Sequence, residues 1–406
     1  MSFRMMLSML RRRPMMPLLV LLQVAVACAI LCNVLFLGWQ KLKPMLAPSG
    51  MDTNNLIFVG GLSRAHGEWS SAEVEAGAQA LQEVPGVRAA SAAIGLPMEG
   101  ILDVVALRGP TGVKVGVDVY AGYDLAKTLG IDIVNGRNFL PGEYPAPSEG
   151  QGNGVITPII ITESLAHQLF GNTNPLGGLV RDADVKVGGS YQVVGVTRHL
   201  IGTQMTRSHP DNSIVEPQRI GKMPFLNYAI RVTPHMHRSA LLGVRKALQR
   251  EFGALLPVGS EPTAEFYDTL RGNTFAARRG ALWMLIAVVI IVLIVTLIGV
   301  IGLTGFWIQQ RTHTIGILRA VGARRIDILT YFQGENAFVV IIAALCGMLL
   351  AYAGNLMLMR YYAVMRLPLW YLPVGAAVML VLGQLAALSP ALRASRVEPV
   401  AATRNI

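Results

Sequence analysis

Charge and cysteine are both scarce in this chain. Of 406 residues, 15% are Asp, Glu, Lys or Arg, and acids are the rarer sign, with 24 Asp and Glu against 35 Lys and Arg. There are three cysteines, Cys28, Cys32 and Cys346, and all fall inside apolar runs, which excludes a disulfide framework. They read as lipid-facing or packing residues. The phosphate loop G-x-x-x-x-G-K-[ST] is missing, so the chain has no such cradle for hydrolysing ATP. H-E-x-x-H and G-x-S-x-G are missing too, and an enzyme reading has no residue to stand on. His235 and His237 lack a third ligand nearby and read as exposed loop residues rather than a metal pair. Gly150, Gly152 and Gly154 lack the strand-to-helix context of a dinucleotide motif and read as a linker.

What is present is apolar. The chain is 52% hydrophobic with a mean hydropathy of +0.47, too apolar for an ordinary soluble protein of this length. Its formal charge of +11 does not argue for a nucleic-acid partner, because many basic residues cluster at the ends of apolar runs, where topology and anionic lipid headgroups account for them.

Four runs are long enough to cross about 30 Å of hydrocarbon as helices. Residues 1–13 carry Arg4, Arg11, Arg12 and Arg13 and read as a cytoplasmic start, and 14–40 is the first span. The competing reading is a cleavable signal peptide, with small residues at Ala25, Ala27 and Ala29 and a lipoprotein-like Cys32. The run is roughly twice a signal-peptide core, and Trp39, Lys41 and Lys43 form an interfacial anchor, so an uncleaved helix is expected. Residues 280–308, 328–358 and 372–392 supply the other spans, with a short outer turn at 359–371 and a cytoplasmic end at 393–406. Arg278 and Arg279 oppose the positive-inside bias, but they end a long translocated domain and fit a helix that continues outward from the second span.

Between the first and second spans, residues 41–279 regain glycine, proline and both signs of charge. They are expected to form an extracytoplasmic α+β domain, large enough for two packed lobes. Helical spacing marks 71–84, 163–170 and 237–252. Strands are expected at 113–120, with Val113, Val115, Val117 and Val119 on one buried face, and at 157–162, 191–196 and 228–232. Residues 141–154 read as a loop.

The phrases AGYDLAKTLGIDIVNGRNF (121–139), ITESLAHQLFG (161–171), NPLGG (174–178) and YQVVGV (191–196) are similar in order and spacing to the periplasmic core domain of MacB-like ABC transporter permeases, the MacB/FtsX superfamily. RTHTIGILRAVGARRIDIL (311–329) resembles the cytoplasmic coupling segment of that family, and ALRASRVEPVAATR (391–404) its terminal signature. The resemblance implies four transmembrane helices with the large domain between the first two, in a bacterial inner membrane. It also implies a dimer of permeases, made of two copies or two related chains, served by two ATPase subunits. No cofactor is expected on this chain; ATP and magnesium would belong to the partner ATPase. A membrane-fusion protein and an outer-membrane channel are further implied partners, and efflux of peptides, drugs or other periplasmic substrates is the implied role. Two alternatives keep the same four-span plan: a lipoprotein-releasing permease, and a non-transport subunit that activates a periplasmic cell-wall hydrolase or sensor.

The segment 309–327 is the candidate site. Ile315, Leu318 and Val321 recur at helical spacing, Ala320, Gly322 and Ala323 are small, and Arg319, Arg324 and Arg325 add charge at the rim. This pattern fits a short helix lying in a partner's groove. The bland reading is a basic interfacial helix that serves topology and headgroup contact. The segment departs from the family pattern in having Gln310 and Thr314, flanking His313, where acids are often found. Glu335, just inside the third apolar run, is expected to sit at the interface or face protein, toward Arg319 or Arg325. Gly299, Gly302 and Gly305 recur every three residues and would allow close approach at a dimer seam; ordinary glycine tolerance in a membrane helix reads equally well.

Overall fold

The computed structural model describes residues 15–98, 104–145, 156–183, 189–202, 211–312, 315–317, 321–362 and 365–395. The chain divides into two compact units, 44–277 and the remainder.

Helix α1 (Met15–Leu46) opens the chain. The outer domain then runs through β1 (Leu56–Ser63), α2 (Ser71–Gln82), β2 (Val87–Ile94), β3 (Val104–Arg108) and β4 (Lys114–Gly122). It continues through α3 (Leu125–Leu129), β5 (Ile133–Gly136), β6 (Ile156–Thr162), α4 (Glu163–Phe170), β7 (Leu179–Asp182), β8 (Ser190–Thr197) and β9 (Ser213–Pro217). It closes with β10 (Phe225–Val232), α5 (His237–Phe252), β11 (Ala264–Phe266) and α6 (Tyr267–Thr274).

One lobe is a split βαβ pair. Strands β11, β1, β10 and β2 lie in that order, all neighbours antiparallel, with α2 and α5 each crossing between two strands of this sheet. The helices bury Val74, Leu81, Val244, Leu248 and Phe252 against Ile57, Val59, Tyr228 and Ile230. Helix α2 begins where it does because Ser70 and Glu73 form a reciprocal cap: the Ser70 backbone N–H donates to Glu73 Oε2 at 2.8 Å and the Glu73 N–H to Ser70 Oγ at 3.3 Å.

The second lobe is inserted between β2 and β10. Strand β4 pairs antiparallel with β3 and parallel with β9, and the path β3–β7–β8–β6–β9 returns to β4, so six strands close on themselves. Closure leaves these strands without free edges. The end of β4 also pairs with β2 at Ala93–Gly122 and Ile94–Ala121, making the two lobes one continuous sheet. The expected alternation in 113–120 holds only in part: Val113 is exposed and precedes β4, and from Val117 to Gly122 the strand is buried on both faces, with Val115, Val117 and Val119 in one apolar cluster and Tyr120 in another. Residues 141–143 form one 3-10 turn, while 146–155, with most of the expected glycine loop, lie outside the described residues.

The membrane unit adds α7 (Ala276–Gln310), α8 (Arg325–Tyr362) and α9 (Tyr371–Ser395) to α1. Among the described residues, these four helices are long and apolar enough to cross a membrane. Each overruns its apolar window. Helix α1 carries Lys41 and Lys43 past its apolar run, and α7 begins at Ala276 with Arg278 and Arg279 in its first turn, as long basic side chains with snorkelling stems allow.

The helices meet through small residues and amides. Cys28 and Cys32 are buried, and a Cβ on Gly347 or Gly375 would collide with Cys28 or Cys32 respectively, so each thiol fills the hollow of a facing glycine. Gln23 Nε2 donates to Val295 O at 3.0 Å, Asn33 Nδ2 to Ala351 O at 3.1 Å, and Asn336 Nδ2 to Gly383 O at 3.0 Å. These bonds tie α1 to α7, α1 to α8, and α8 to α9.

Candidate functional site

The connection between α7 and α8 joins the second and third candidate spans. Its described residues form short turns. Arg311 N–H donates to Ile308 O at 3.0 Å, Ile315 N–H to Arg311 O at 3.0 Å, and Val321 N–H to Ile317 O at 3.0 Å. Gly322 then adopts φ +103°, a region that L side chains rarely enter, and ends the helical stretch. Helix α8 starts next because the Arg324 N–H donates to Asp327 Oδ2 at 2.9 Å, an acid on the third helical residue satisfying a donor that the helix leaves open.

Beneath the turn is a small apolar cluster of Ile308 from α7, Ile315 from the turn, Ile328 and Phe332 from α8, and Ala391 from α9. Ile315 is 3% exposed in this cluster. Helical spacing had placed it on a partner-facing side; it instead anchors the turn to its own chain. The apolar residues that face outward are Ile317 at 47%, Val321 at 82% and Ile326 at 57% exposure, flanked by exposed Arg324 and Arg325. Spacing identified Val321 but missed Ile317 and Ile326, which belong to separate turns around Gly322 and so fall out of a single helical period. Leu318 and Arg319, with His313, Thr314 and Ala320, lie outside the described residues.

Glu335 is 2% exposed, and its partner differs from the expected Arg319 or Arg325. Arg311 Nη1 donates to both carboxylate oxygens, at 3.2 and 3.1 Å, and the Arg311 guanidinium lies 4.7 Å from the centre of the Trp307 ring. A carboxylate placed this deep needs a charged partner, and Arg311 supplies one from the end of the preceding helix. Arg324 and Arg325, across the turn, face outward.

The three glycines of α7 have different surroundings. A Cβ on Gly299 would strike the Gln23 side chain of α1, whereas Gly302 and Gly305 have nothing within 4 Å. His237 hydrogen-bonds Asn55 through Nε2, and among the described residues no group of three His, Cys, Asp or Glu is placed to hold a metal.

Comparison with known proteins converges on one family. The sequence model of the MacB-like periplasmic core domain matches residues 19–241, over half of the chain, and that of the FtsX-like permease C-terminal region matches 286–399. The Bacillus subtilis (strain 168) ABC transporter permease YknZ is 23% identical over 292 residues, covering 70% of this chain and 68% of the relative. The Paracoccus denitrificans macrolide export ATP-binding/permease protein MacB 1/2 is 25% identical over 424 residues, and the chain spans 58% of its length. The crystal structure of the periplasmic region of MacB from Actinobacillus actinomycetemcomitans aligns at a TM-score of 0.38 and 11% identity, covering 57% of this chain and 97% of that one. The chain belongs to the MacB/FtsX superfamily of ABC transporter permeases and is a multi-pass inner-membrane protein whose periplasmic domain lies between its first and second spans.

Proposed function

We propose that this permease docks a separate ABC ATPase on the turn between α7 and α8 and transmits ATP-driven movement through the membrane helices to the periplasmic domain. The observation that carries this reading is the outward trio Ile317, Val321 and Ile326 beside exposed Arg324 and Arg325. An apolar centre with a basic rim fits a protein partner, with the charges setting partner choice and on-rate. ATP and magnesium belong to that partner, because the chain carries no phosphate loop of its own. On the same reading a second permease, copy or paralogue, packs against α7, and the reading is supported by Gly302 and Gly305, where an added Cβ would meet nothing within 4 Å.

The transported class is proposed as peptides, drugs or other periplasmic molecules, with a membrane-fusion protein and an outer-membrane channel completing an efflux path. The lipoprotein-releasing alternative calls for a lipid-lined opening between the first and second spans in the dimer. The apolar groove of about 480 Å³ lined by Ile30, Val34, Leu350 and Met357 lies between the first and third.

Docking is tested by co-expressing the chain with the ATPase encoded beside it. Val321→Asp is expected to abolish co-purification, and Arg324→Glu with Arg325→Glu to weaken it in a salt-dependent way. Undiminished capture by Val321→Asp would remove the docking claim. Periplasmic pull-down separates the roles: a fusion protein and channel support efflux, and a cell-wall hydrolase supports regulation.

A further inference from the structure

A recess of about 550 Å³ opens in the periplasmic domain, and all its lining residues lie within 44–277. It forms where the segment after α1, the C-terminal end of α3, the end of β8 and helix α6 meet. Two glycines in the left-handed region allow that meeting. Gly50, at φ +76°, lies against the His199 carbonyl, and Gly130, at φ +65°, lies against Asp52 and Arg231; a Cβ at either position would collide with those groups. Hydrogen bonds hold the walls together. Ile201 N–H donates to Ser49 O at 3.1 Å, Asp52 N–H to Gly130 O at 3.3 Å, and Arg271 Nη2 to Ala47 O at 2.9 Å. The recess is therefore formed before any ligand arrives, which removes an ordering cost from binding.

Its walls carry charges of both signs, and most are already engaged. Asp52 Oδ2 accepts from Arg231 Nη1 at 2.7 Å, and His199 Nδ1 lies 2.9 Å from Asp211 Oδ2. Asp132 and Arg198 are the exceptions. The β5–β8 ladder ends in the pair Ile133–Thr197, and these two are the next residues outward on its two strands. Both line the recess and both are exposed. Among the described residues, neither side chain has an ion pair or a hydrogen bond. Residues opposite each other in an antiparallel ladder have Cβ atoms about 5 Å apart, so a free carboxylate and a free guanidinium are neighbours in one preformed recess.

A ligand of a single sign does not match these walls. A cation would meet Asp132 but also Arg198 and Arg271, and an anion would meet Arg198 but also Asp132 and Asp52. A molecule that carries an ammonium and a carboxylate on one carbon matches both signs. We propose that the recess binds a free α-amino acid, with its ammonium on Asp132, its carboxylate on Arg198 and its side chain along Pro48 and Met51. Such a site rejects analogues that lack one of the two charges, because the matching protein group is then left facing an uncharged atom. Occupancy needs neither nucleotide nor the α7–α8 turn, and its failure would leave the ATPase-docking reading intact.

The test uses the full chain in nanodiscs of phosphatidylcholine and phosphatidylglycerol, which carry no primary amine. Glycine, leucine, lysine and glutamate are followed by saturation-transfer NMR. At least one is expected to bind with a Kd on the order of 1 mM, and its N-acetyl and carboxamide derivatives to bind about tenfold more weakly. Asp132→Asn should weaken the parent amino acid about tenfold and leave it no better than its N-acetyl derivative, and Arg198→Gln should do the same relative to the carboxamide. Neither side chain has a partner in the fold, so both variants are expected to keep the wild-type calorimetric transition of the periplasmic domain.

No binding by any of the four at about 20 mM would overturn the site, as would derivatives that bind as well as their parent. Wild-type affinity in either variant would do the same. Binding of sn-glycerophosphoethanolamine in preference to all four amino acids would overturn the assignment and point to a lipid headgroup. Should a variant fail to fold, the derivatives on the wild-type chain still decide.

Discussion

The periplasmic domain and the membrane unit solve the same packing problem with different materials. In the periplasmic domain the largest fully buried side chains are Trp69, Tyr120, Tyr191, Tyr228, Tyr267 and Phe252, and their polar tips find partners: Trp69 Nε1 donates to Leu62 O at 2.8 Å and the Tyr228 hydroxyl to Val74 O at 3.0 Å. Water outside makes the burial of large apolar surfaces favourable there. In the membrane unit the fully buried contacts are made by Val24, Cys28, Cys32, Val340, Ala343, Ala351 and Ala391, while many Ile and Val side chains of α7 face outward. Lipid is as apolar as leucine, so helix association has to come from close approach and interhelical hydrogen bonds. Size does the work in one unit and fit in the other.

That contrast is open to attack. The largest effect is expected from Trp69→Ala, which removes a fully buried ring set 5.1 Å, edge to face, from Phe252 and leaves Leu62 O without its donor. It should cost about 3–5 kcal/mol, read by calorimetry of the full chain in nanodiscs as a lowered transition of the periplasmic domain. A shift of less than a degree would mean that this core does not depend on its aromatic centre.

Gly347→Val tests the other side. The added side chain has to displace Cys28, at about 1–3 kcal/mol, and the sharper readout is chemical. Cys28, shielded in the wild type, should become reactive to a membrane-permeant maleimide. Continued protection would show that α1 and α8 are not held by this glycine.

The smallest effect is expected at the cap of α2. Ser70→Ala should cost about 1 kcal/mol, with a particular pH dependence. The Ser70 backbone N–H, its hydroxyl and then Arg64 hold the Glu73 carboxyl below the ordinary range. A depressed acid stabilises the fold above its unfolded pKa, roughly 4.3, and that contribution disappears as pH falls through the lower folded value. The stability difference between wild type and Glu73→Gln should therefore be constant at neutral pH and shrink below about pH 4. A difference that persists unchanged to pH 2 would place the effect outside the carboxylate.

Local pattern carried far in some elements and stopped short in others. The helix at 237–252 was legible because its apolar spacing and its flanks agree, and Thr162 to Gly171 was legible because a β-branched run gives way to a helical period ended by glycine. The closed ring of six strands was not, since β4 meets β9 through residues nearly a hundred positions away and nothing local records that pairing. At the candidate site the positive charge and helical spacing of the turn stand out in the sequence. Which of its apolar residues turn inward does not: Ile315 and Ile317 are two positions apart on one helical turn, and only the packing of Phe332 and Ala391 makes one an anchor and leaves the other exposed.

By itself, the sequence determined the four candidate spans, the insertion of a large α+β domain between the first two, and the place of a basic turn between the second and third. Those features follow from the cost of placing charge and unpaired backbone in hydrocarbon, and that cost is paid residue by residue along the chain. Only the tertiary structure decided which arginine answers Glu335, which glycines receive the cysteines of α1, and how β4 closes the ring. Each of these depends on a pair of groups meeting across a fold, and the energy of a pair does not exist until both members are in place.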